Sequence, residues 1–127
     1  MHIQRLQVEQ GILNAVVVGE FELGPAQRQF NELVNEAVQR GASKVLIEGR
    51  QVTGKPNIFE RFLYGLFVAT ASLYIMNQHN IRLRFAYVIH EQVHDPGGIG
   101  ETVAVKSGMD VKSFEDTNAA IEWLNAA

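Results

Sequence analysis

Strand-like and helix-like segments alternate along almost the whole chain. The first two segments are both strand-like, with Gln10-Gly11 as the turn between them, and each later strand-like segment is followed by a helical one. The predicted order is therefore β-β-α-β-α-β-α-β-α. Because parallel strands need a crossover connection, which is usually a helix, this order predicts an α/β fold with a single, mostly parallel sheet of about five strands. The first pair of strands adds an antiparallel hairpin.

Hydrophobic periodicity and turn residues set the predicted boundaries. Gly41 ends the first helix, residues 49–57 form a loop, and Asp95-Pro96 caps the third helix. The predicted strands are 5–9, 12–18, 44–48, 82–90 and 109–114. The predicted helices are 24–40, 58–78, 95–107 and a last one that begins near Asp116. No linker or repeat separates these elements, and residues 1–127 are predicted to form one domain.

The composition narrows the function classes that the chain can serve. The 127 residues carry a formal net charge of −3, so no excess of cations is present to neutralise nucleic-acid phosphates. There is no cysteine, which excludes disulfides, thiolate nucleophiles and cysteine-bound metals. The first twenty residues include Glu9 and Glu20 and lack the apolar core of a secretory signal, so we expect a cytoplasmic protein. No cofactor or metal is predicted.

Three segments, together with the predicted order of elements, resemble the STAS superfamily, the fold of bacterial anti-sigma-factor antagonists. Residues 45–50 (VLIEGR) are similar to the strand that runs into the family's regulatory loop, and residues 84–88 (RFAYV) to the following core strand. Residues 114–124, in which Glu115-Asp116 precede an alanine-rich helix, are similar to the closing element of STAS-like proteins. The resemblance covers nearly the whole chain as architecture, and it extends to STAS-like proteins of unassigned function.

The resemblance implies a regulatory role for the loop after the third strand. Antagonists of the family present a serine or threonine there, in an Asp-Ser-Ser-Gly type motif, and phosphorylation by a partner kinase breaks their complex with an anti-sigma factor. The corresponding loop here contains Thr53-Gly54 without the preceding aspartate, which makes Thr53 the candidate for phosphorylation. Our leading hypothesis is a non-enzymatic protein-interaction domain that docks on a protein partner through residues 49–57 and the helix that follows.

The same loop has a second, chemical interpretation. Gly49, Gly54 and Lys55 have the G-x-x-x-x-G-K spacing of a phosphate-binding loop between a strand and a helix. The eighth position is Pro56, which lacks the hydroxyl that holds magnesium. Nucleotide hydrolysis is therefore disfavoured, whereas simple anion binding at the helix start stays open. Arg50, Lys55 and backbone N–H groups would then be the donors.

Two histidines follow the fourth predicted strand. His90 and His94, with Glu91 and Asp95 beside them, are a weak metal motif, because only two histidines are available and Asp95 is expected to cap a helix. If the third and fourth strands are neighbours, the Thr53 loop and the His90–His94 loop flank one crevice, where open α/β sheets bind ligands. The alternative hypothesis is therefore a protein that binds a small ligand there: an anion, a nucleotide or a lipid-like molecule. A third hypothesis, an enzyme, stays open only for a hydrolase that lacks a recognisable nucleophile motif.

The predicted helix 58–78 is apolar on most of its circumference. From Phe62 to Gln78 it carries seventeen residues without a formal charge. Spanning a bilayer takes about twenty apolar residues, and this stretch includes Gly65 and Thr70, so no transmembrane segment is predicted. The helix needs cover from the sheet and neighbouring helices, a protein partner, a lipid-like ligand or a second copy, and a homo-oligomer is expected. Candidate contact residues are Phe59, Phe62, Phe67 and Tyr74.

Overall fold

The computed structural model of the chain describes residues 1–90 and 98–126. Its strands are β1 (His2–Glu9), β2 (Ile12–Glu20), β3 (Lys44–Thr53), β4 (Arg84–Val88) and β5 (Val111–Phe114). Its helices are α1 (Leu23–Arg40), α2 (Ile58–His79), α3 (Ile99–Lys106) and α4 (Thr117–Asn125). The elements follow one another in the predicted order, β-β-α-β-α-β-α-β-α.

The five strands form one sheet in the order β1-β2-β3-β4-β5. β1 pairs with β2 in the antiparallel direction, whereas β2, β3, β4 and β5 are all parallel. The predicted α/β fold, with a mostly parallel sheet and an antiparallel N-terminal hairpin, is confirmed. Because each parallel step crosses over through a helix, helices cover both faces of the sheet.

The side chains of the central strands alternate between two apolar layers. On one face, which we call the three-helix face, Leu13, Val45 and Phe85 pack with residues of α1, α2 and α3. On the opposite face, the one-helix face, Leu46 and Ala86 pack with residues of α4. Most of the buried apolar side chains lie on the three-helix face, which therefore holds the main core.

Capping residues set the helix ends. Gly41, at a φ of 69°, ends α1 as predicted, because this left-handed conformation suits a residue without a Cβ. Asn57 and Glu60 form a reciprocal capping box at the start of α2. The Asp116 side chain accepts a hydrogen bond from the backbone N–H of Ala119 at the start of α4, which confirms its predicted place there.

β3 is longer than the sequence predicted. The prediction that a loop begins at Gly49 is wrong, because the strand continues to Thr53. Past a β-bulge, the last residues of β3 pair with the carboxyl end of β2. The connection from β3 to α2 is therefore residues 54–57 alone.

Other boundaries differ from the prediction by a few residues. β4 and β5 each begin two residues later than predicted, and β4 ends at Val88 rather than at His90. α3 begins at Ile99. The predicted start of that helix, Asp95-Pro96, lies outside the described residues.

Candidate functional site

A half-enclosed cavity of about 180 Å³ lies on the three-helix face, between the carboxyl halves of the strands and the helices. β3 and β4 are neighbours in the sheet, which is the arrangement that a crevice at this edge requires. Parallel strands bring their carboxyl ends to one edge, and open α/β sheets bind ligands there. The cavity is walled by α1, α2 and α3 as well as by the strands.

The walls of the cavity are predominantly apolar. The residues on the sheet side that face it are Val17, Ile47, Gly49, Val52, Tyr87, Val111 and Ser113 of the strands and Ile89 just beyond β4. The helix residues that face it are Ala26, Gln29, Phe30, Leu33, Arg61, Tyr64, Gly65, Val68, Gly100, Glu101 and Ala104. The wall is completed by Met1, Phe21, Pro56 and Gly98. Because few of these side chains carry polar atoms, the cavity offers water few hydrogen-bond partners.

Glycines allow the close packing that shapes the cavity. α2 and α3 approach each other at Gly65 and Gly100, and a Cβ added to Gly65 would lie 2.3 Å from the Gly100 carbonyl oxygen. Only glycine permits so close an approach of two backbones. On the sheet side, a Cβ added to Gly49 would lie 3.3 Å from Cγ2 of Ile89. Glycine therefore keeps both walls where they are.

Two tyrosines meet on the cavity wall. The hydroxyl oxygens of Tyr64 on α2 and Tyr87 on β4 are 2.9 Å apart, and the two rings pack edge-to-face. Burial raises the pKa of Tyr64 to about 12. Burial, together with the neighbouring Tyr64 hydroxyl, raises the pKa of Tyr87 well above its usual value. Both phenols are therefore neutral hydrogen-bonding groups at physiological pH.

Two charged side chains on the wall are bonded to backbone groups. Arg61 Nε donates to the Pro56 carbonyl oxygen over 3.0 Å. Glu101 Oε1 accepts from the Ser113 backbone N–H over 3.1 Å. The first bond closes the turn before α2 and the second ties α3 to β5, so both help to fix the cavity walls.

The predicted ligand residues do not converge on the cavity. Gly49 lines it, between the carboxyl end of β3 and Ile89. Four others are exposed and lie outside the cavity wall: Thr53, Gly54, Lys55 and His90. Of the predicted set, only Gly49 therefore contributes to the cavity among the residues that the structure describes.

Arg50 lies on the one-helix face, on the opposite side of the sheet from the cavity. Its guanidinium forms a bidentate ion pair with Glu48, with N–O distances of 2.8 and 3.0 Å, and donates to Thr117 Oγ1 over 3.0 Å. The Thr117 hydroxyl donates in turn to Glu48 over 3.1 Å. The hydrogen bond and charge of Glu48 raise the pKa of Arg50. This network borders a groove of about 260 Å³ that is lined mainly by polar side chains.

The phosphate-loop spacing does not correspond to a phosphate-binding loop in the structure. Residues 49–53 are extended strand, and the last three of them pair with β2. A phosphate cradle needs a run of free backbone N–H groups that point at one spot, which a paired strand does not supply. Arg50 lies on the other face of the sheet from the cavity, so it is not a donor there.

The predicted histidine pair lies at the border of the described residues. His90 is exposed just beyond β4, whereas Glu91, His94 and Asp95 lie outside the described residues. Within residues 1–90 and 98–126, no three His, Asp or Glu side chains are grouped closely enough to hold a metal ion.

The four predicted contact residues of α2 differ in exposure. Phe59 and Tyr74 are 68% and 63% exposed and Phe62 is exposed as well, whereas Phe67 is half-buried against the main core. By length and composition alone, α2 is apolar enough to cross a membrane. Of its most apolar stretch of 18 residues, 22% is buried inside the protein. That is weak evidence for a span, because core helices meet the same criteria. In this fold the inner side of α2 belongs to the core.

The tyrosine pair does not follow from the sequence analysis. Tyr64 and Tyr87 are 23 residues apart, and no motif joins them. One available indication is that each carries a polar tip within an apolar segment predicted to pack in the core, where a buried hydroxyl needs a partner. The close approach of Gly65 and Gly100 likewise cannot be predicted from the sequence of either helix alone.

Comparison with known proteins adds no family to this description. No protein-family model matches the chain, and no curated protein is significantly similar to it. The resemblance to the STAS superfamily therefore stays a prediction, and the functional argument depends on the cavity.

Proposed function

We propose that the chain binds a small, predominantly apolar molecule in the cavity on the three-helix face. The observation that carries this proposal is about 180 Å³ of largely apolar space beside a pair of tyrosine hydroxyls. The space lies at the edge where α/β sheets bind ligands. The proposal follows the alternative hypothesis of the sequence analysis, with a different set of contact residues.

An empty apolar cavity lowers the stability of a protein. Protein interiors are otherwise packed as densely as organic crystals. This cavity is only half-enclosed, so part of its apolar wall stays in contact with solvent. A ligand that enters it removes that surface from water, at roughly 25 cal/mol per Å², so the space supports a binding role.

The volume of the cavity limits the size of the ligand. A dry engineered cavity of about 150 Å³ binds benzene. A cavity of about 180 Å³ therefore suits one aromatic ring with a short substituent, or a short aliphatic chain. A nucleotide exceeds this volume, and a free anion would lose its hydration against a mainly apolar wall. Of the three predicted ligand classes, the lipid-like one fits best.

Glycine amide resonances test this proposal directly. We would titrate ¹⁵N-labelled protein with toluene and with acetophenone. Gly49, Gly65 and Gly100 line the cavity, so their amide resonances should shift and saturate. Gly11 and Gly41, in turns at the opposite edge of the sheet, should not move. No saturable shift at millimolar probe concentrations would contradict the proposal.

A pair of alanine substitutions separates cavity binding from surface binding. Ala104 lines the cavity, so Ala104→Leu places three extra carbon atoms in it. Ala71, half-buried on α2 outside the cavity, provides the matched control Ala71→Leu. Toluene affinity should fall at least about tenfold in the first variant, since the added volume competes with the probe. Unchanged affinity in Ala104→Leu would place the probe elsewhere.

The exposed side of α2 favours a second candidate function, self-association. Ile58, Phe59 and Tyr74 are strongly exposed, and residues 62–78 carry no formal charge. We propose that two copies pair through this side of the helix, because they do so without burying a charge. Native mass spectrometry at micromolar concentration should find a dimer, and Phe59→Ser/Phe62→Ser should give a monomer. A monomeric wild-type protein would contradict this candidate.

Phosphorylation of Thr53 stays a prediction that depends on the STAS resemblance. The Thr53 side chain is exposed at the end of β3, where a kinase has access to it. Mass spectrometry of the protein from its native cells tests the prediction. A phosphate that maps to Thr53 supports a regulatory switch, and an unmodified Thr53 peptide in every growth phase contradicts it.

A further inference from the structure

The hydrogen bonds of the tyrosine pair leave one proton unused. A tyrosine hydroxyl donates one hydrogen bond and can also accept. Tyr64 and Tyr87 have two hydroxyl protons between them, and the bond that joins their oxygens uses one. Among residues 1–90 and 98–126, no further group accepts a hydrogen bond from either hydroxyl. Because both tyrosines line the cavity, we infer that the second proton is available to a molecule bound there.

The surroundings of this proton make a ligand the natural acceptor. Phe21 packs edge-on against the Tyr64 ring, and Ile47, Val68 and Ile89 are among the apolar side chains on the same cavity wall. A buried donor without an acceptor is destabilising, and a water molecule would find few other partners here.

We propose, on the basis of the ligand-binding function above, that the ligand is a small neutral carbonyl compound. Its oxygen accepts the second proton of the Tyr64–Tyr87 pair, and its apolar remainder fills the cavity. A ketone, an aldehyde or an ester of about one aromatic ring in size has this combination.

The charges on the wall do not select an ion. Arg61 and Glu101 are of opposite sign, and each is bonded to a backbone group. Because both charges already have partners in the protein, neither a carboxylate nor an ammonium group gains an attraction that offsets its lost hydration. A hydrocarbon fits the volume but leaves the tyrosine proton without an acceptor.

The pKa values of the two tyrosines support a neutral donor. Burial raises the pKa of Tyr64 to about 12 and that of Tyr87 well above its usual value. Both hydroxyls therefore keep their protons at neutral pH, and the donor is present whenever the protein is folded under ordinary conditions.

Two probes of the same shape test the proposal. Acetophenone and α-methylstyrene differ only in that a carbonyl oxygen replaces a terminal methylene group. Their dissociation constants are measured from the glycine amide shifts for the wild type and for Tyr64→Phe/Tyr87→Phe. The double substitution is needed because a single one frees the remaining hydroxyl proton. Tyr74→Phe, at the third and exposed tyrosine, is the matched control.

The preference for the carbonyl probe is the quantity to compare. The ratio of the α-methylstyrene constant to the acetophenone constant should fall about three- to tenfold in the double variant, the range that one hydrogen bond supplies. It should stay unchanged in Tyr74→Phe. The double variant is expected to fold, because apolar groups of the same shape replace both partners of one hydrogen bond.

The outcomes separate this proposal from the ligand-binding function. The same ratio in wild type and double variant, with both probes bound, would overturn the carbonyl proposal and leave ligand binding intact. Failure of both probes to bind would overturn ligand binding itself. If the double variant does not fold, infrared spectra of bound ¹³C-carbonyl acetophenone decide: a stretch shifted below its value in a hydrocarbon solvent supports the proposal, and an unshifted one overturns it.

Discussion

Both faces of the sheet are covered by helices, but the openings at the carboxyl ends of the strands differ in chemistry between the two faces. On the three-helix face, the edge contains an apolar cavity of about 180 Å³. On the one-helix face, Ala86 of β4 and Ala120 of α4 are fully buried between the sheet and the helix. Glu48, Arg50 and Thr117 are joined at that edge by mutual hydrogen bonds and border a groove. The opening on the first face is therefore mainly apolar, whereas the opening on the second carries a charged network.

The larger opening is not the better ligand site. The groove on the one-helix face measures about 260 Å³, but polar groups make up half of its lining, and those of Glu48, Arg50 and Thr117 already bond one another. The cavity is smaller and offers water few partners, so an apolar molecule fills it with a gain in free energy. The chemistry of the lining decides between the two sites, and the volume does not.

The largest expected effect comes from breaking the helix contact that walls the cavity. In Gly65→Ala the new Cβ would meet the Gly100 carbonyl oxygen at 2.3 Å, and a backbone atom has no rotamer by which to move away. α2 and α3 must then separate, which should lower the free energy of unfolding by about 3 kcal/mol, at the upper end of overpacking effects. Urea unfolding followed by circular dichroism measures this change.

A second glycine provides the control for this substitution. Gly24, near the start of α1, has only the flexible end of Arg28 near its Cβ position. Gly24→Ala should therefore be neutral or stabilise by up to about 1 kcal/mol, because alanine favours helix and restricts the unfolded chain. Equal losses in both variants would show that the approach of Gly65 and Gly100 is not special.

The fold follows from the sequence to the extent that each element is determined locally. The alternation of strand and helix segments was enough to predict the order of the elements and the parallel sheet. Gly41 and Asp116 were enough to predict one end each of α1 and α4. The extension of β3 to Thr53 was missed because Gly49 and Gly54 are typical of loops. That extension depends on pairing with β2, a contact between distant parts of the chain that no local pattern reports.

Adding the same side chain to both faces tests the difference in packing. Ala120→Leu inserts three carbon atoms between α4 and the sheet, where Ala120 is fully buried and lines neither the cavity nor the groove, and should cost about 2 kcal/mol. Ala104→Leu inserts the same atoms beside the cavity and should change stability by less than about 1 kcal/mol. The measurement is the urea midpoint of each variant. Equal costs on the two faces would mean that the cavity does not accept added volume.

The tyrosine pair predicts a loss of stability in alkali. Between the usual pKa of 10.0 and the folded value of about 12, the unfolded chain has released the Tyr64 proton and the folded chain still holds it. Unfolding then releases protons, so stability falls as pH rises, by roughly 1.4 kcal/mol per pH unit for each such group. Below pH 10 this contribution is constant.

Urea unfolding at pH 9.5, 10.5 and 11.5 measures this slope. Tyr64→Phe/Tyr87→Phe should lose stability less steeply than the wild type, and Tyr74→Phe is the control for the loss of a tyrosine hydroxyl outside the pair. All other ionisable groups are the same in the three proteins, so their contribution cancels in the comparison. Identical slopes in the wild type and the double variant would contradict the assignment of raised pKa values to the Tyr64–Tyr87 pair.

The site could be predicted from the sequence less well than the fold. The order of the strands predicted at which edge of the sheet the site lies, because ligands bind at the carboxyl ends of parallel strands. Its residues did not follow, because Tyr64, Gly65 and Gly100 meet their partners only through the packing of α2 and α3. Arg50 and Lys55 looked like ligand residues because charge and spacing are visible in a sequence, whereas a cavity is not.

The smallest expected effect concerns the network on the one-helix face. The Arg50–Glu48 ion pair is half-exposed at Arg50, and exposed pairs of this kind contribute up to about 1 kcal/mol. Arg50→Ala should lower stability by no more than that, and the loss should shrink in 1 M NaCl because salt screens the pair. Arg28→Ala, at an exposed position of α1, is the control. Acetophenone affinity should be unchanged in both variants, since the sheet separates Arg50 from the cavity. A tenfold loss of affinity in Arg50→Ala alone would show that the two faces act as one site, and the contrast between them would then fail.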